Sequence, residues 1–286
     1  NVAVNNPPEE SSAGGVLNAT VNGDYVFALS SDLSPLSLKG DLRLDVKRAE
    51  GAFAAFDTFN AVFGSDIAPT EIKQLSLVFR KAQEQLGELR VSGPVNLEKV
   101  EGTLNVELAS IDRRLLNLVG AAEGIDFGTT AINSTNTIQL ANEGKKISVN
   151  GRFAADRLQV IQTNQSTPTL DLSADYDVLV DSDAGNAVIR TLTLKGLRDG
   201  RQFLRGELSS PMNISLGGEG ESLGDSSFNL TLDSLDLADW KAFTGGITEG
   251  RVKATVALLS RQGGKQLQLK AASQLSNIAP IAGDKK

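Results

Sequence analysis

Apolar and polar residues alternate with a period of two along most of this chain. Leu38, Gly40, Leu42, Leu44 and Val46 fall on one side of an extended segment, and Lys39, Asp41, Arg43, Asp45 and Lys47 on the other. The pattern returns at Leu104, Val106 and Leu108, at Ile147, Val149, Gly151 and Phe153, and at Leu170, Leu172, Ala174, Tyr176, Val178 and Val180. It appears again at Phe228, Leu230 and Leu232, at Val252, Ala254, Val256 and Leu258, and at Leu267, Leu269 and Ala271. A strand sends successive side chains to opposite faces, so each segment predicts a strand with one apolar and one wet face. Such strands suit antiparallel meanders, whereas buried parallel sheets need nearly continuous apolar runs. Turn chemistry separates them at Asn22-Gly23-Asp24, Asn142-Glu143-Gly144, Asp181 to Asn186, Arg198-Asp199-Gly200 and Gln262-Gly263-Gly264.

Three segments break the alternation and predict short helices. In residues 49–63, Phe53, Phe56, Phe59 and Phe63 fall at helical spacing. Residues 111–119 offer Asp112 as an N-cap and Gly120 as a stop. Residues 236–244 offer Asp236 or Asp239 as a cap and Gly245-Gly246 as a stop. These segments start near residues 49, 111 and 235, at intervals of 62 and twice 62, which suggests an internal repeat. A second recurring element is Gly-x-apolar, at Gly40-Asp41-Leu42, Gly102-Thr103-Leu104, Gly151-Arg152-Phe153 and Gly206-Glu207-Leu208. Residues 1–13, with adjacent prolines, glutamates and serines, read as a linker or disordered terminus, residues 14–276 as the repeat region, and residues 277–286 as a tail.

Composition narrows the chemistry. The 286 residues are 40% hydrophobic and only 5% aromatic, so any core rests on Leu, Val, Ile and Ala, and 28 glycines suit many tight turns. The net charge of −7 argues against nucleic acid as a partner, which requires a basic stripe. With no His and no Cys, Cys/His zinc sites, His-ligated haem, Ser-His-Asp triads and histidine general bases are excluded. The absence of Cys also fits an oxidising compartment. No stretch approaches the ~18 apolar residues of a spanning helix. The chain starts with Asn rather than Met, which reads as a piece excised or processed from something longer.

Many strands with one apolar face each, and only three short helices to cover them, leave three solutions. The sheet folds on itself as a sandwich or barrel, stacks as a solenoid, or stays an open trough whose floor is covered by a ligand with long apolar chains. Aliphatic side chains make a smooth wall suited to acyl chains, whose burial is driven by apolar area. An ordinary sandwich core explains the same residues without a ligand.

The stretch from Val106 to Gly120, a strand, an Asp-capped helix and a Gly, continues into Asn136-Thr137-Ile138-Gln139-Leu140 and residues 146–153. With the second copy at residues 232–240, it resembles the AsmA-like repeat region of Gram-negative envelope proteins, a family related to TamB. The resemblance covers roughly residues 15–275. It implies a curled antiparallel β-sheet forming an elongated groove or half-barrel, periplasmic, in a protein anchored in the inner membrane through a segment outside this chain. It also implies a non-enzymatic role, binding or conducting phospholipid between inner and outer membranes in support of outer-membrane biogenesis and integrity. The residues expected to line the lipid path are Leu104, Val106, Leu108, Ile147, Val149, Leu170, Leu172, Leu230 and Leu232. The rival reading is a structural or adhesive β-repeat with a dry core. Catalytic residues, metal ligands and cofactors are not expected on either reading.

Other motifs reduce to local structure. Gly217-Gly218-Glu219-Gly220 reads as a turn rather than a phosphate loop, and Asp181-x-Asp183-x-Gly185 as a hairpin turn rather than a calcium loop. Asp236 and Asp239 read as cap and first-turn residues, and the four phenylalanines of residues 49–63 as core packing against the sheet. The five Asn-x-Ser/Thr triplets, at Asn18, Asn133, Asn164, Asn213 and Asn229, read as chance matches in a chain rich in these residues.

Overall fold

The computed structural model describes residues 2–6, 15–51, 53–120, 124–162, 165–217, 224–240 and 247–280. The chain is mostly β. Sixteen strands belong to one antiparallel sheet, whose strand order is open rather than closed into a barrel. The strands fall into two units, the first comprising residues 1–126 and 132–144, the second residues 127–131 and 145–286.

The first unit carries β1 (Val2–Asn6), β2 (Gly15–Leu29), β3 (Pro35–Gly51), β4 (Phe59–Ala68), β5 (Glu71–Lys81), β6 (Glu84–Asn96) and β7 (Glu101–Asp112). From β1 to β7 each strand pairs with its neighbour in sequence, as the alternation predicts for a meander. Helix α1 (Arg113–Gly120), β8 (Ile125–Asp126) and β9 (Ala131–Ala141) follow. Val2–Asn6, inside the stretch read as a linker, pairs with β2 along Val2↔Ala19 to Asn6↔Gly15.

The second unit carries β10 (Lys146–Leu158), the short pair β11 (Ile161–Gln162) and β12 (Gln165–Ser166), then β13 (Leu170–Asp181), β14 (Asn186–Arg198) and β15 (Arg201–Leu208). After them come β16 (Met212–Ser215), β17 (Ser226–Asp236), β18 (Ile247–Arg261) and β19 (Gln266–Pro280). Their order is β10-β13-β14-β15-β17-β18-β19, with β16 beside the start of β14. Strand β19 extends into residues read as tail.

Of the three expected helices, one forms as an α-helix. Asp112 caps α1 through its Oδ1, which accepts from the Arg114 N–H at 2.8 Å, and Gly120 is its last residue. Asp112→Ala leaves that donor without its partner and is expected to cost about 1 kcal/mol, read as a lower urea midpoint at unchanged slope. Among the described residues, the other two segments show only 3-10 turns, Ala54–Phe56 and Leu237–Trp240, and residues 241–244 lie outside the described residues. In the first, β3 runs on to Gly51 and β4 begins at Phe59, so the aromatic spacing belongs to a strand-turn-strand corner and not to a helix. In the second, Asp236 Oδ1 accepts from the Ala238 N–H at 3.0 Å, while Asp239 instead pairs with Arg198. The expected stop at Gly245-Gly246 lies outside the described residues, as do Gly218, Glu219 and Gly220 and the sequon residue Asn164.

Among the turns, residues 182–185 and 262–265 and the two-residue Asp199-Gly200 connect hairpins, and Asn142-Glu143-Gly144 is a turn. At Asp199 and Gly200, φ is 49° and 73°, the pair of positive angles that a type I′ turn needs. Asn22-Gly23-Asp24 is not a turn. It lies inside β2, with Asn22↔Arg43, Gly23↔Leu42 and Asp24↔Asp41 in register. The turn falls at residues 30–34, where Asp32 accepts hydrogen bonds from the Ser30 and Ser34 hydroxyls.

Candidate functional site

Paired residues in an antiparallel ladder share a face, so the register shows which side chains lie together. In the first unit one row crosses Gly23, Leu42, Phe63, Leu77, Leu89 and Leu108. The next row crosses Tyr25, Gly40, Ser65, Leu75, Val91 and Val106. Leu104 follows two positions away in β7, so Leu104, Val106 and Leu108 share this face. The opposite face carries Arg43, Asp45, Lys39, Asp66, Arg90 and Glu107. Ion pairs there include Lys39–Asp66 and Arg43–Asp45, both at 3.0 Å.

The apolar face of this unit is not uniformly covered. Near the 3-10 turn and α1, the residues Ala19, Val46, Ala49, Phe59, Ala61 and Leu86 form a packed cluster, with Phe53, Phe56, Leu115 and Leu118 against it. Phe56 and Phe59 meet edge to face, with ring centroids 5.9 Å apart. Toward the β2–β3 hairpin the face opens, and Phe27 is 69% exposed there, with Leu29 and Leu36 also exposed. Phe53, Phe56 and Phe59 thus pack together, although no α-helix carries them, while Phe63 lies in β4 on the row between Leu42 and Leu77, outside this cluster.

The second unit repeats the arrangement over more strands. One row runs Phe153, Ala174, Leu194, Gly206, Leu230, Val256 and Ala271. Beside it runs Ala155, Leu172, Gly196, Leu204, Leu232, Ala254 and Ser273. Ile147 pairs with Val180, Val149 with Val178, and Leu170 with Leu158. Ile147, Val149, Leu170, Leu172, Leu230 and Leu232 therefore lie on one face. Leu170 is buried, at 8% exposure, and the rest are half-buried. The other face carries Arg152 against Asp175 at 3.8 Å and Arg205 against Glu207 at 2.6 Å. Surface pairs of this kind add little stability. Their effect is to keep that face wet.

The rows also include Leu77, Leu89, Leu194 and Leu204, and Leu192, opposite Tyr176, shares the face of Leu194. Their signal lies in the sequence: Thr191-Leu192-Thr193-Leu194-Lys195 alternates as cleanly as the segment through Leu104, Val106 and Leu108. Glycine contributes to the smoothness of the face. A Cβ at Gly206 would lie 2.7 Å from the Phe228 ring and 3.0 Å from the Leu194 Cβ, so neighbouring side chains occupy the space a larger residue would need.

The charged groups whose titration is displaced lie among surface ion pairs and turns. Arg90 is raised by its hydrogen bonds to Glu88, Arg114 by Asp112 and Glu84, and Arg198 by Asp239. The Asp32 carboxyl is held below its usual range by the hydroxyls of Ser30 and Ser34. Among the described residues no group of three or more acidic side chains is placed to hold a metal ion, and no helix is long and apolar enough to cross a membrane. The concavities over β17, β18 and β19 are shallow, one of them lined by Leu232, Ala254 and Ser273.

No family model, curated protein or solved structure matches this chain. Any functional reading therefore rests on the faces themselves.

Proposed function

We propose that the apolar sheet face of each unit is a floor for phospholipid acyl chains, within a non-enzymatic periplasmic β-groove. The observation that carries this reading is the uninterrupted row from Phe153 to Ala271, seven strands wide. Among the described residues, one eight-residue α-helix and two 3-10 turns are all the helix available to cover such rows. A soluble chain does not leave a broad apolar face in water. Acyl chains gain roughly 25 cal/mol for each Å² of apolar surface they cover, and they demand no hydrogen bonds from Leu, Val, Ala and Gly. Head groups would stay in water at the rim, and movement along the floor would be passive.

The resemblance to AsmA-like repeats supplies the setting: a protein held at the inner membrane by a segment outside this chain, handing phospholipid toward the outer membrane and so maintaining it. Native mass spectrometry of the purified chain is expected to find bound phospholipid. Val149→Asp together with Leu230→Asp would put unpaired carboxylates on the floor. The lipid is expected to be lost while the strand signal in circular dichroism persists. A chain that carries no extractable lipid under any purification supports instead a structural β-repeat with a dry core.

A further inference from the structure

Strands β17 and β18 carry four consecutive apolar rows, from Phe228↔Leu258 to Leu235↔Val252, and every residue in them is half-buried. Both ends of this strip are closed. At one end the next row is Ser226↔Ser260, with the two serines 5% and 3% exposed. The backbone at Ser210 and Asn213 covers it: the Ser226 hydroxyl donates to the Ser210 carbonyl at 2.5 Å and the Ser260 hydroxyl to the Asn213 carbonyl at 2.7 Å. At the other end Leu237, first residue of the 3-10 turn Leu237–Trp240, is buried. Its Cδ1 lies 3.2 Å from where a Cβ on Gly250 would stand, two positions from Val252 in β18.

We propose that one acyl chain of a phospholipid lies lengthwise on this strip, with its ester end at the serines and its methyl end at Leu237 and Trp240. This placement rests on the acyl-chain floor proposed above, and adds where a chain lies and which way round. Length favours one chain. Val252 and Leu258 are six residues apart in β18, about 20 Å at a rise of ~3.3 Å per residue. The chains of one leaflet fill half of a hydrocarbon core about 30 Å thick. The strip therefore holds one membrane-length chain along the strands, and is too short for two end to end. Charge sets the direction. Arg261 and Lys265 adjoin the serine end, with the Asp225 carboxylate 3.9 Å from Arg261. Asp236, Asp239 and Glu249 adjoin the Leu237 end, against Arg251 and an Arg198 already paired with Asp239. A lipid phosphate is held best by the cationic end, which leaves the methyl end to the apolar stop.

Trp240 is the one Trp of the chain, and it reports on the methyl end. Side chains three apart in a 3-10 turn eclipse, so Trp240 lies on the same side of its turn as Leu237. The full chain is loaded from phosphatidylglycerol vesicles, and mass spectrometry of the same samples counts the lipid carried. Acyl chains brominated near the terminal methyl are expected to quench Trp240 fluorescence at least threefold more than chains brominated near the ester. Val256→Asp, in the middle of the strip, is expected to abolish that difference while the strand signal in circular dichroism persists. In the unaltered chain, lipid carried without quenching, equal quenching from the two bromine positions, or stronger quenching from the ester side overturns this placement and leaves the floor standing. A chain that carries no lipid overturns both.

Discussion

Leu86→Ala is expected to lower the stability of the first unit by about 2–5 kcal/mol, the range for removing a leucine from a packed core. Leu86 is 1% exposed, in the cluster that Phe53, Phe56, Leu115 and Leu118 help to close. Little slack exists there to collapse into the space left behind. Leu42, on the apolar face of the same unit, is 39% exposed. Leu42→Ala is expected to cost about 1 kcal/mol or less, because much of its surface is wet in both states. Equilibrium urea unfolding of the two variants reads the difference as shifts of midpoint at constant slope. Equal losses would mean that the face is sealed along its whole length, and the acyl-chain floor would fail in this unit. A large contrast fits a sheet packed at one end and open along the rest.

Gly102→Val is the second large effect. Gly102 has φ of 140°, a conformation that L side chains rarely adopt, and a Cβ there would lie 2.3 Å from the Pro94 carbonyl oxygen and 2.6 Å from the Val95 Cα. Both obstacles are backbone of the paired strand, so neither can rotate away. Conformational strain and overpacking each cost of order 1–3 kcal/mol, giving a combined loss of about 3 kcal/mol or more. Gly200→Ala provides the comparison. Gly200 also has positive φ, at 73°, but no atom lies within 4 Å of its would-be Cβ, so only the backbone cost of roughly 1–2 kcal/mol applies. Similar losses at both positions would show that the close approach of β6 and β7 at Gly102 relaxes freely.

The alternation made the strands and their apolar sides legible because period two survives whatever the partner is. Register did not survive so well, since it depends on bulges. In β17, Leu230 and Leu232 are followed by an irregularity, after which Leu235 pairs with Val252. The spacing of three between Leu232 and Leu235 was its only trace in the sequence. Turn chemistry misled at Asn22-Gly23-Asp24, where a sequence that suits a hairpin is held extended by the long pairing of β2 with β3. The true turn has no glycine. It places Leu33 at φ of 64° and closes through Ser30, Asp32 and Ser34. Helical spacing misled over residues 49–63 because a 3-10 turn between two strands can bring aromatics into one cluster as well as a helix can. The Asp112 cap was readable because its whole logic is local: one carboxylate, two residues before the amide it receives.

The neighbour-to-neighbour order of β1 to β7 has a consequence for how this unit is made. Each strand needs only the one before it, so loops to be closed are short, and contact order is low for an all-β chain. A polypeptide delivered end first can add strands vectorially, each arriving hairpin templated by the edge already laid down. Drawn from one end under force, the same unit would release its strands singly, as a zip opens, rather than rupture all at once.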